Sequence, residues 1–143
     1  MKIERITETD LPELALLYQQ LQPNEASLEK MKAALQVIQH NPNQVVLGAK
    51  IDGQLVGSVL GLACQMLFGQ CKPFLVVEDV VVDANHRRAG VATALMRAIE
   101  QYAGECHCSY IMLITDTDRE GAQRFYASLG YKTDPYKGFK KAL

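Results

Sequence analysis

The chain has 143 residues, 48% of them hydrophobic and 22% charged, with a formal net charge of −1. That length suits one domain with a buried core, and the near-neutral charge removes the bulk electrostatic basis for binding nucleic acid or an anionic membrane. The charged start MKIERITETD lacks the apolar stretch of a signal peptide, and no apolar run approaches the ~20 residues of a membrane helix, so a cytoplasmic location is expected.

KIERIT reads as a short strand with Ile3 and Ile6 as its apolar positions. After Asp10, a helical pattern runs over Leu11, Leu14, Leu16, Leu17 and Leu21, with Pro12 in the first turn, where its missing N–H costs nothing. A second helix starts near Ser27, with Lys30 where a capping box would hold Glu; its apolar face is Leu28, Met31, Ala34, Leu35 and Ile38. QVVLGAKI, Asp52-Gly53 and QLVGSVLGLACQML form the clearest hairpin, because Asp-Gly between β-rich runs suits a type I′ turn.

FLVVEDVVVD (74–83) is a third strand, followed after Gly90 by a helix with Val91, Leu95, Ala98, Ile99 and Tyr102 at helical spacing. SYIMLIT reads as a buried strand and GAQRFYASLG as a helix closing at Gly130, a C′ position. YKTDPYKGFKKAL is expected to finish with a loop and a short strand. The order β-α-α-β-β-β-α-β-α-β argues for a single α/β domain over residues 1–143. A mixed, twisted sheet of about six to seven strands, helices on both faces, is expected. Only the strand–helix–strand unit at 74–115 requires a parallel pair.

Four cysteines occur, at 64, 71, 106 and 108, and free thiols are expected in an intracellular chain. Cys106-His107-Cys108 has no second ligand pair of the kind structural zinc sites use, so no metal is expected there.

HRRAGVATAL (86–95) sets two arginines and a glycine against the start of a helix. A strand–turn–helix junction presents unpaired backbone N–H groups at the positive end of the helix dipole. Gly90 lets the backbone approach an anion, and Arg87 and Arg88 add charge-assisted bonds. The spacing is neither a P-loop nor a dinucleotide fingerprint. On these residues alone, an anion seat and an ordinary helix start stay equally open.

VVVDANHRRAGVATAL resembles motif A of the GNAT acyltransferase superfamily, [QR]-x-x-G-x-[GA], here Arg87-Arg88-Ala89-Gly90-Val91-Ala92. Ala122, Phe125, Tyr126, Gly130 and Tyr131 resemble a second motif, A-x-x-F-Y-x-x-x-G-[FY], and the element order is similar too. The resemblance implies an acetyl-coenzyme A-dependent N-acetyltransferase. Backbone N–H groups from Arg88 to Thr93, spanning Ala89, Gly90, Val91 and Ala92, would hold the pyrophosphate, with Arg87 and Arg88 assisting. The backbone of Val80, Val81 and Val82 would pair with the pantetheine arm along a splayed sheet edge. Arg119, where many members carry asparagine, and Phe125 are expected on the coenzyme side. Dimerisation is common in the family.

The resemblance also casts Tyr126 as the acid near the coenzyme sulfur; a phenol stays protonated at neutral pH and can serve a departing thiolate. Glu78 and Asp79 interrupt an apolar strand, and burying an unpaired carboxylate is costly. Glu78 is the candidate base and Asp79 the candidate acceptor contact, both residues being equally readable as rim charges. Adjacent strand residues face opposite ways unless a bulge intervenes. The acceptor is expected to be a small-molecule or protein amine. The Glu-Asp pair and the segment from Cys108 to Leu113 are similar to glucosamine-6-phosphate N-acetyltransferases, although Ile114 departs from them. A non-catalytic acyl-CoA sensor is the rival from another class.

Overall fold

The computed structural model describes residues 1–143. In chain order the elements are β1 (Lys2–Arg5), α1 (Leu11–Leu21), α2 (Leu28–Gln39), β2 (Gln44–Ile51) and β3 (Gln54–Cys64). They continue with β4 (Phe74–Val82), α3 (Val91–Glu105), β5 (Ile111–Leu113) and α4 (Glu120–Ser128), with 3-10 turns at Glu8–Asp10 and Ala84–His86. Residues Met1–Met112 pack as one compact unit and Leu113–Leu143 as a second.

The sheet has five strands in the order β1-β2-β3-β4-β5, which corrects the expected six to seven. The missing closing strand was assigned to the tail, but residues 132–143 form no helix or strand. That segment carries Pro135, which lacks an N–H, and four lysines, with every side chain exposed, so it offers a ladder neither donors throughout nor an apolar face. β1 to β4 pair antiparallel in sequence. β4 and β5 start side by side in the same direction, Ser109 N–H donating to Pro73 C=O and Leu75 N–H to Tyr110 C=O. Phe74 and Tyr110 stack across that start, their centroids 5.2 Å apart.

The β2–β3 turn is built as its sequence requires, with Asp52 (φ 50°) and Gly53 (φ 83°) both left-handed. Ser27 caps α2, its Oγ accepting from Lys30 N–H at 3.3 Å. On one face of the sheet, Ile6, Leu11, Leu14, Leu17, Leu35, Val46, Leu55 and Val81 form the core under α1 and α2. On the other, α3 buries Leu95, Met96 and Ile99. It lies where β3 presents glycine: a Cβ on Gly61 would stand 2.6 Å from Ile99 Cδ1, and one on Gly57 3.0 Å from Val91 Cγ1.

α1 is tied at its start by Asp10, which is 6% exposed and accepts from Thr7 N–H at 2.9 Å and from Lys50 Nζ at 2.7 Å. Burial raises the Asp10 pKa, but the Lys50 and Thr7 bonds outweigh it and leave the carboxyl below its ordinary value.

In the second unit, α4 closes with Gly130 in the left-handed region (φ 93°). Gly130 N–H donates to Ala127 C=O and Tyr131 N–H to Tyr126 C=O, the paired bonds of a Schellman ending. This is the C′ role the sequence assigned to Gly130.

Candidate functional site

The turn between β4 and α3 holds the first group of candidate residues. Asp83 ends the strand and accepts from Asn85 N–H at 2.7 Å, which organises the short 3-10 turn at Ala84–His86. Arg87, Arg88, Ala89 and Gly90 follow, all exposed, with Arg88 (φ 61°) and Gly90 (φ 78°) left-handed. Gly90 is the N-cap of α3 and supplies no side-chain bond, and the first turn contains no acidic residue. A Cβ at Gly90 would meet nothing within 4 Å, so the space on that side of Gly90 is open. Val91 is buried, while Ala92 and Thr93 are half-buried. The first intrahelical bond is Ala94 N–H to Gly90 C=O, which leaves the amides before it without an intrahelical partner. Two guanidiniums, a bare helix start and a glycine backbone are groups that can hold an anion.

One feature of this turn has no signal in the sequence. Gln20, near the end of α1, donates from Nε2 to Asp83 Oδ2 at 3.1 Å and accepts from Ala84 N–H at 2.9 Å. A single glutamine thereby fixes the turn to a helix 64 residues upstream. These bonds, led by Gln20, hold the Asp83 carboxyl below its ordinary value.

The second group lies on β4. Ser58 pairs with Val81 and Leu60 with Glu78, so Val59 alone faces two residues, Asp79 and Val80. This is a β-bulge, and its extra residue is Asp79, left-handed at φ 52°. An aspartate tolerates that conformation at a cost of about 1 kcal/mol. The bulge reverses the alternation. Leu75 and Val77 are buried on the α3 side, whereas Val81 joins the core under α1 and α2. Glu78 therefore shares the α1 face with Val81 and Leu60, and it is exposed. Asp79 reaches solvent as well, yet enough protein surrounds its carboxyl that burial raises its pKa. Val80 and Val82 are half-buried. Asp83 N–H donates to Val56 C=O on β3, so alternation turns the peptide groups of Val82 toward the opposite edge of β4.

Tyr18 and Ser58 are further polar groups at the bulge that the sequence did not single out. Tyr18 packs half-buried against the α1/α2 core. Burial, then the charge of Asp79, push its phenol up to about 12, with the nearby Ser58 hydroxyl acting the other way. Ser58 Oγ is wholly buried and makes no hydrogen bond within 3.5 Å. A serine inside an otherwise apolar strand was the available hint.

The remaining candidates belong to the second unit. Arg119 is the exposed N-cap of α4. Phe125 and Tyr126 are half-buried neighbours with ring centroids 5.3 Å apart, and Tyr126 meets Tyr131 edge-on at 6.1 Å. Gln123 Nε2 donates to Thr117 C=O at 2.9 Å and Asp116 C=O at 3.2 Å, which fixes the loop leading into the helix. Residues 87–93 and the Glu78–Val82 bulge are thus brought together on consecutive elements of one unit, and Arg119, Phe125 and Tyr126 on one helix of the other.

The fold has counterparts among solved structures. A solved structure from Agrobacterium tumefaciens str. C58 superposes with a TM-score of 0.91 at 23% identity, covering 100% of both chains. AAC(6')-Iy, solved with the bisubstrate analogue CoA-S-monomethyl-acetylneamine, superposes at 0.81 and 21% identity over 99% of this chain and 98% of that one. At such identities the likeness speaks to the fold. Human N-acetyltransferase 8 (Homo sapiens) is 41% identical over 51 residues, 36% of this chain, and the match spans only 22% of that protein's length. A second curated relative is matched over 34% of its length. The sequence pattern of the acetyltransferase (GNAT) family matches residues 10–131. No helix is long and apolar enough to cross a membrane. With that match spanning most of the sequence, the chain belongs to the acetyltransferase (GNAT) family.

Proposed function

We propose that this chain is an N-acetyltransferase that moves an acetyl group from acetyl-CoA to a primary amine by direct attack in a ternary complex. The observation that carries the reading is the α3 start. A left-handed Gly90 faces open space at a helix end without a cap or an acidic residue, flanked by Arg87 and Arg88. Amides from Arg88 to Thr93 would bind the coenzyme pyrophosphate there. The fold neighbour AAC(6')-Iy, whose structure contains a CoA-derived analogue, supports the same class of donor.

The bulge supplies what the chemistry needs next. Along β4, the outward-turned peptide of Val82, with Val80 and Val81 before it, would accompany the pantetheine arm as an added strand. A backbone N–H near Val80 would polarise the thioester carbonyl, the kind of contact that strengthens as negative charge develops on the oxygen. The amine lone pair attacks the carbonyl carbon, a C–N bond forms, and the C–S bond breaks. Before attack the ammonium gives one proton to Glu78, directly or through water, and Asp79 contacts the acceptor; after attack the nitrogen releases its second proton to water, from which Tyr126 is reprotonated. The thiolate takes a proton from Tyr126, with Phe125 and Arg119 on the coenzyme side. The proposed chemistry needs no metal, and the reading places it in the cytoplasm. Tested by acetyl-CoA-dependent thiol release across a panel of primary amines, the proposal expects turnover with at least one amine. Its loss is expected in an Arg87→Ala/Arg88→Ala double variant through a raised acetyl-CoA KM. Full activity in the double variant would refute the assigned cradle.

A further inference from the structure

We infer that Cys106 and Cys108 form a redox-active pair, a dithiol that a low-molecular-weight disulfide converts reversibly to an intramolecular Cys106–Cys108 disulfide. The pair lies at the opposite end of α3 from Gly90 and takes no part in the acetyl transfer proposed above.

The way α3 ends directs both thiols to one face. Cys106 N–H donates to Tyr102 C=O at 2.9 Å, His107 N–H to Gly104 C=O at 3.0 Å and Cys108 N–H to Ala103 C=O at 2.9 Å. The last two are the paired bonds of a Schellman ending, with His107 left-handed at φ 58° where glycine is usual. Cys106 keeps helical backbone angles, so its side chain shares a face with the residues three and four before it, Ala103 and Tyr102. In such an ending the residue after the left-handed one, here Cys108, folds back onto the same two positions. That face is turned inward, Tyr102 and Ala103 both being buried. The left-handed residue between them also draws the two cysteines closer than an extended chain would, toward the roughly 4.4–6.8 Å between Cα atoms that a disulfide spans. Burial, then the neighbouring Cys106 and Cys64 thiols, push the Cys108 thiol up, which agrees with sulfurs gathered in one place.

Both thiols remain within reach of a reagent. Cys106 and Cys108 are each partly exposed, and Cys106 borders a cavity of about 270 Å³ beside Ala63 and Pro73. No group of three or more His, Cys, Asp or Glu side chains gathers to hold a metal ion, so chelation does not account for the pair. Cys106 faces the cavity, and the raised Cys108 thiol keeps its proton longer, so Cys106 reacts first. Its thiolate attacks one sulfur of the small disulfide; that S–S bond breaks, one small thiolate leaves, and a mixed disulfide forms. The Cys108 thiolate then attacks Cys106 Sγ and displaces the second small thiolate. The chain gives up two electrons and two protons, and the small disulfide ends as two thiols. A ring closed over one intervening residue is strained, so a thiol pool reduces it again, as a transient disulfide in a reducing compartment requires.

The test treats the native full chain with glutathione disulfide, alkylates the remaining thiols and maps the products by mass spectrometry. Expected are loss of two of the four free thiols, both within the tryptic peptide 98–119, and their recovery on adding reduced glutathione. Cys108→Ser is expected to stop at a mixed disulfide on Cys106, Cys106→Ser to form no internal disulfide, and Cys64→Ser and Cys71→Ser to behave as the parent chain. Because the helix ending gathers the thiols, the parent chain in 8 M urea is expected to form the disulfide at least tenfold less favourably, about 30 mV in potential. Four thiols left free in the native chain, a cross-link from Cys64 to either residue, or equal oxidation in urea would each overturn the inference.

Discussion

Gly57→Ala is a small change whose consequences follow from the packing of β3. The new Cβ would sit 2.9 Å from Val81 O, 3.0 Å from Val91 Cγ1 and 3.1 Å from Leu95 Cδ1. Two of these are the far ends of side chains, but Val81 O is backbone and belongs to the strand just past the bulge. Relief therefore requires β4 or the first turn of α3 to move. Overpacking of this kind costs about 1–3 kcal/mol, offset by roughly 0.5–1 kcal/mol for removing a strand glycine. A net loss of about 1–2 kcal/mol, against an unfolding entropy near 0.3 kcal/mol per kelvin for a chain this long, lowers the melting temperature by about 3–7 °C. Because Val91 opens α3, the displaced turn is also expected to weaken acetyl-CoA binding several-fold in calorimetry. Gly104→Ala is the control: nothing lies within 4 Å of its Cβ, and it sits inside α3, so it should stabilise by about 0.5–1 kcal/mol. If Gly57→Ala melts at or above the parent temperature and binds acetyl-CoA equally well, the packing argument linking β3 to the α3 start is wrong.

Further predictions address the same elements separately. Gly90→Val should cost about 1–2 kcal/mol through its left-handed φ of 78° alone, since its Cβ meets open space, and should weaken acetyl-CoA binding more than tenfold. Gln20→Ala should loosen the turn at Asp83 and Ala84 and raise the acetyl-CoA KM while kcat changes little; an unchanged KM would show that the clasp plays no part. Tyr126→Phe should lower turnover about a hundredfold with acetyl-CoA affinity retained, and unchanged turnover would remove its acid role. The carboxyl of Asp10 is held below its ordinary value in the folded chain, so its contribution is present above the unfolded value near ~3.9 and is lost as pH falls through the lower folded value. Acid unfolding followed by circular dichroism should therefore flatten in this range in Asp10→Asn.

Much of the fold was legible because it rests on local rules. Asp52-Gly53 fixes its hairpin by left-handed φ values, Ser27 caps α2, and Gly130 ends α4, each within a few residues of chain. The proposed pyrophosphate cradle was half legible: the sequence placed Arg87, Arg88 and Gly90 at a helix start, but only the structure revealed the open space beside Gly90. The expected final strand failed because a strand exists only by pairing, and no local property of residues 132–143 shows whether a partner edge accepts it.

The bulge escaped for a related reason. Its extra residue is visible only in the register, where Ser58 pairs with Val81 but Leu60 with Glu78. That single insertion decides which carboxylate faces α1, so no alternation rule applied to VVEDVVV alone could assign Glu78 and Asp79. Gln20 was missed because its contacts to Asp83 and Ala84 reach across more than 60 residues of chain. A lone polar residue on an apolar helix or strand reads the same whether it is buried with a purpose or solvated.

The most direct test of the account is a backbone amide map of the full chain titrated with acetyl-CoA and, separately, with ATP. The account predicts saturable acetyl-CoA shifts concentrated at Arg88–Thr93 and Val80–Val82, with ATP far weaker at both. Shifts confined to other residues, or equal binding of ATP at Arg88–Thr93, would contradict the assignment of that turn as a coenzyme A cradle.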